Sequence, residues 1–89
     1  MANAFDSADQ NLANELCELL VEYCNTSGAA HEAADKRIKA IGTCLYENGG
    51  HGRMLEIHSS VNNRCNRLGK YGMGRVLENR WGGIGQWLS

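Results

Sequence analysis

Four stretches of this 89-residue chain space their apolar residues three or four positions apart, and no proline interrupts any of them. That interval places side chains on one stripe of an α-helix, whereas a half-buried strand would alternate at every second residue. Strict two-residue alternation is missing throughout, so the pattern predicts an all-α protein. With proline absent, eleven glycines serve as punctuation, and all but Gly28 lie from Gly42 onward. The C-terminal half is therefore expected to be the more broken one.

The first stretch begins near Asp6 or Ser7, both good N-caps, with Asp9 close behind to complement the helix dipole. Leu12, Leu16, Leu19, Leu20 and Tyr23 form its stripe, with Cys17 and Cys24 at the margin, and Asn25-Thr26-Ser27-Gly28 ends it. The second runs from Ala29 or Ala30 to about Asn48 on Ala34, Ile38, Ile41 and Leu45. Gly42 on that face costs about 1 kcal/mol relative to alanine and suggests that another helix packs closely there. Asn48-Gly49-Gly50 reads as a C-terminal stop.

A third stretch, Gly52 to Leu68, carries Met54, Ile57, Val61, Cys65 and Leu68 on one face, widened by Leu55 and His58. Gly69-Lys70-Tyr71-Gly72 is the turn after it. A shorter fourth helix fits Met73 to about Trp81, with Val76, Leu77 and Trp81 inward. Gly82, Gly83 and Gly85 then leave Ile84, Trp87 and Leu88 on an aromatic tail. The expected fold is one domain over residues 1–89: a compact bundle of three longer helices, a short fourth and that tail. A chain of this length folds alone but builds only a thin core.

Several function classes are disfavoured. No 18-residue apolar run is present, so no membrane span is expected. Met1-Ala2-Asn3-Ala4-Phe5-Asp6 has neither the basic nor the apolar region of a signal peptide, so the four cysteines read as cytosolic thiols. Net charge is −1, but residues 1–50 carry eight acidic and three basic side chains, and residues 51–89 two acidic and six basic. Such halves can face each other within one chain or across a dimer. Six spread cations fall short of the dense basic patch of a nucleic-acid binder.

Spacing disfavours the obvious chemistries. Cys17 and Cys24, like His51 and His58, stand seven residues apart, about 10 Å along a helix, too far to share one metal ion. Buried thiols and surface histidines are the simpler account of these residues. His58 is followed by Ser59 and Ser60, but immediate neighbours diverge on a helix and form no nucleophile–base pair. Gly49-Gly50-His51-Gly52 follows a helix rather than a strand and lacks the phosphate-loop pattern. No catalytic residue, metal or cofactor is expected.

The closing Arg80-Trp81-Gly82-Gly83-Ile84-Gly85-Gln86-Trp87-Leu88 is the most unusual stretch. Two tryptophans, each able to bury about 150–250 Å², are a large share of the apolar area of so small a protein. Trp and Arg are also enriched where interfaces draw their affinity. Arg75, Arg80, Trp81, Ile84 and Trp87 are thus candidate interaction residues, closing the core or meeting a second copy of the chain in preference to an unrelated protein partner.

Ile41-Gly42, Gly49-Gly50, Met54, Leu77-Glu78 and the closing Trp81-x-Gly83-Ile84-Gly85-x-Trp87 together resemble a set of small all-α bacterial proteins without assigned activity. The resemblance spans about residues 38–88 and departs from the pattern at Gly82 and Gln86, where acidic residues are more usual. It implies a helical accessory protein of the kind carried on mobile gene cassettes. The leading expectation is a cytoplasmic, non-enzymatic interaction protein that forms a homodimer. The alternatives are a ligand pocket between helices using His58, Arg75, Arg80 and the tryptophans, and nucleic-acid binding.

Overall fold

The computed structural model describes residues 7–85 and 87, with side chains from residue 10 onward. The capping roles expected of Asp6, Ser7 and Asp9, and the places of Gln86 and Leu88, lie outside the described residues or side chains. Three helices make up the fold: α1 (Ser7–Asn25), α2 (Ala29–Arg67) and α3 (Met73–Trp81). The chain is all-α, and no strand occurs among the described residues.

Three elements stand where four were expected because the second and third stretches abut, while the break expected at Gly49-Gly50 is present as a non-helical Gly50. Helical structure resumes directly after the expected stop, so the second and third stretches form one element of 39 residues. Inside it Gly50 takes φ 75° and ψ −169°, a backbone region essentially reserved for glycine. A straight helix of that length would measure about 58 Å. The longest dimension of the molecule is 43 Å, so α2 bends at Gly50 into two limbs, residues 29–49 and 51–67.

These limbs, α1 and α3 enclose one core. Fully or almost fully buried are Ala13, Leu16, Cys17 and Leu20 of α1, Ile38, Ile41 and Leu45 of the first limb, and Met54, Ile57, Val61 and Cys65 of the second. Leu77, Trp81 and Trp87 complete it. The face of α1 is rotated from the expected stripe: Ala13 and Cys17 are buried, while Leu12, Leu19 and Tyr23 are only partly covered.

Three other expectations are corrected by burial. Leu55 and Leu68, assigned to the inner face, are 49% and 60% exposed. Cys24 and Cys44 are exposed thiols. The histidines are half-buried rather than surface groups. No helix among the described residues is long and apolar enough to cross a membrane.

The end of α2 is set by backbone chemistry. Gly69 has φ 78°, the Gly69 N–H donates to the Asn66 carbonyl and the Lys70 N–H to the Cys65 carbonyl. This is the paired hydrogen bonding of a Schellman stop, which satisfies two carbonyls that the helix leaves free. It turns Leu68, Lys70 and Tyr71 out of the helix line.

Candidate interaction surface

The molecule has one closed end and one open one. The closed end is built on Trp81, fully buried at the end of α3. Its indole N–H donates to the Ile38 carbonyl at 2.9 Å, an acceptor inside the first limb of α2. The close approach depends on Gly42, where a Cβ would lie 2.5 Å from the Trp81 Nε1. The interior glycine expected to mark close packing does so, against an aromatic ring.

Beyond α3 the chain curls back on itself. The Ile84 N–H donates to the Trp81 carbonyl, the Trp87 N–H to that of Ile84, and the Gly83 N–H to that of Trp87. Positive φ at Gly83 and Gly85 permits these turns. Trp87 returns to the core, 5% exposed, edge-on to Trp81 with centroids 5.2 Å apart. Its own indole N–H donates to the Glu78 carbonyl at 3.1 Å.

Two histidines border this pair. The His51 and His58 rings each lie 5.5 Å from the Trp87 ring. His58 Nε2 is 3.0 Å from the Gly74 carbonyl and 3.1 Å from a Glu78 carboxylate oxygen. Both partners are acceptors, so Nε2 carries the proton. His51 Nδ1 is buried and has no hydrogen-bond partner among the described residues.

Arg80 turns toward its own chain. It bonds Asp35 at 3.3 Å and lies over the Tyr23 ring at 5.1 Å. Tyr23 in turn stacks on His31 at 4.0 Å. Of the five candidate interaction residues, Trp81 thus offers no surface and Trp87 almost none, while Arg80 and Ile84 are half-buried. Arg75 is exposed and without an ion pair among the described residues.

The open end lies between α1 and the finish of α2. A mostly apolar groove of about 410 Å³ is lined there by Cys17, Glu18, Val21, Glu22, Asn25, Leu68 and Lys70. Leu68 stands 60% exposed, and Tyr71, in the turn that follows, is 74% exposed. Glu18, Glu22, Arg67 and Lys70 have no ion-pair partner among the described residues. A clue to this surface lay in the turn Gly69-Lys70-Tyr71-Gly72: a large aromatic between turn glycines has no helical face on which to be buried.

His58, Arg75, Arg80 and the tryptophans do not line this groove. Nor do they line the smaller depression of about 140 Å³ beside Leu12, Arg37 and Cys44. The indoles are packed against each other and the histidines. Among the described residues, no three His, Cys, Asp or Glu side chains gather in a way that would hold a metal ion. Comparisons with protein-family models, curated proteins and solved structures return no match to this chain.

Proposed function

We infer that this protein is a non-enzymatic helical interaction protein that pairs with a second copy of itself through the open end. The observation that carries this reading is the groove between α1 and the end of α2, flanked by exposed Leu68 and Tyr71. Its charge distribution favours an identical partner over an unrelated one. Glu18 and Glu22 stand on one wall and Lys70 on the other. A two-fold axis through the groove sets each acidic wall against the basic wall of its mate, as an isologous interface requires.

Scale is consistent with a modest dimer. A standard interface takes about 800 Å² from each partner. That is about 15% of the 5393 Å² that this chain exposes. Cytoplasmic residence and an accessory role of the cassette-borne bacterial kind belong to the same reading. Four free thiols suit a reducing compartment, and the closing tryptophan–glycine motif is the feature on which the resemblance to those proteins rests.

Light scattering at tens of micromolar tests the pairing. The expected mass is that of a dimer, and Leu68→Glu is expected to return it to a monomer by placing a charge in an apolar contact. Reversing Glu18 and Glu22 to lysine weakens the dimer, and adding Lys70→Glu restores part of the loss. A monomer for the unaltered chain, or a dimer indifferent to Leu68→Glu, overturns the proposal.

A further inference from the structure

Two of the four thiols meet inside the protein. Cys17 of α1 and Cys65 of α2, 48 positions apart in sequence, bring their Sγ atoms to 2.7 Å. Cys17 is 4% exposed and Cys65 not at all, whereas Cys24 and Cys44 are on the surface. Non-bonded heavy atoms rest about 3.5–4.0 Å apart, and a disulfide measures about 2.05 Å. Most of the approach that a bond needs has therefore been made by the packing of α1 on α2.

Access separates the roles of the two. Cys17 forms part of the groove wall, whereas Cys65 does not, so a small molecule entering there reaches Cys17 before Cys65. Cys65 lies behind it, held at the Schellman stop through its own carbonyl. Burial, with the hydrogen bond to Cys17, pushes the Cys65 thiol up to about 12 and keeps it protonated at neutral pH. Such a thiol is a poor target for direct oxidation and is placed to react only with its neighbour.

We propose that Cys17 and Cys65 are an oxidant-accepting dithiol, converted by a small peroxide into an intramolecular disulfide that joins α1 to α2. The Cys17 sulfur attacks a peroxide oxygen, the O–O bond breaks, and a sulfenic acid and one water form. The Cys65 sulfur then attacks the Cys17 sulfur. The S–O bond breaks, and hydroxide departs with the Cys65 proton as a second water. Two thiols lose two electrons, hydrogen peroxide gains them, and atoms balance with two waters released. A low-molecular-weight disulfide reaches the same product by exchange, releasing two thiols. Pre-positioning supplies the effective concentration that a buried partner otherwise lacks.

The linkage forms within one chain, but its access route is the groove assigned above to self-association, so the test is run on dilute protein, where the groove is open. The full-length Cys24→Ser/Cys44→Ser variant, altered only at exposed thiols, tests it when diluted and treated with hydrogen peroxide. The product is then denatured and labelled with N-ethylmaleimide. The expected result is loss of both maleimide adducts, an intact mass lower by two hydrogens, recovery by dithiothreitol, and a melting temperature raised by about 10 °C or more through closure of a long loop. Retention of both adducts, a sulfinic acid on Cys17 without linkage, or a disulfide between chains overturns the proposal.

Discussion

The two ends of this protein solve the problem of a thin core in opposite ways. At the closed end, large aromatic side chains fill the space and both indole N–H groups find carbonyl acceptors. At the open end the packed groups are two small thiols, with Leu68 and Tyr71 left in solvent beside a groove. Satisfied indole N–H groups and high aromatic burial leave the first end with little to offer a partner in this fold. The second has unburied apolar area and charges without an ion-pair partner among the described residues, which is the composition of a contact surface awaiting completion. The difference teaches that the residues most suggestive of binding by type can be those the fold consumes.

Substitutions separate the ends most sharply at Trp81. Trp81→Ala is expected to cost about 3–5 kcal/mol in a denaturant titration, since a fully buried ring and its hydrogen bond are lost. In an 89-residue domain that is a large part of the stability. A cost below about 1 kcal/mol would mean that the closed end is not the anchor. Gly42→Ala follows at about 1–3 kcal/mol, because its Cβ collides with the Trp81 ring. On a helix this exchange otherwise stabilises, so the sign of the change alone is diagnostic.

At the open end the expected effect depends on pH. Cys65 titrates higher in the folded protein than its ordinary value of 9.0, so the folded state holds that proton more tightly. Its contribution is complete below about pH 9 and declines as pH climbs toward 12. At pH 10 the loss amounts to about 1 kcal/mol. Comparing the reduced protein with Cys65→Val at each pH isolates it, since the other alkaline groups titrate in both. Parallel stability curves for the two would remove the effect. Smallest of all is Leu68→Glu, expected to change the stability of the monomer by less than about 0.5 kcal/mol while it abolishes pairing. A large loss of monomer stability would make Leu68 a core residue and erase the contrast between the ends.

The helical class and most core positions could be read from apolar spacing, because period carries that information directly. Ala34, Ile38, Ile41, Leu45, Met54, Ile57 and Val61 all lie where their spacing puts them. The stripe of α1 departs from its apolar spacing: Leu12 and Leu19 outrank Ala13 and Cys17 in hydropathy, yet the smaller pair is the buried one. Gly50 was legible as a stop but not as a bend, since one glycine residue can end a helix or redirect it, and tertiary contacts decide which.

The groove was hidden for a related reason. Leu68 fits the apolar series of its helix, and only the direction of the following turn shows that it points away from the core. The meeting of Cys17 with Cys65 depends on how α1 lies across α2, a relation that no local pattern contains. Trp81 and Trp87 were visible as important residues, but their mutual contact needed the chain reversal at Gly83 and Gly85.

The pairing of the tryptophans also determines what light can report about this molecule. The chain has no other indole, and both rings share one cluster with His51 and His58 close to Trp87. Intrinsic emission is therefore a local gauge, sensitive to the environment of one end and silent about the other. Melting followed by emission and by far-ultraviolet circular dichroism samples different volumes of the same structure. Coincident curves would show that the two ends unfold as one cooperative unit, and a gap between them would measure how far the groove end loosens first.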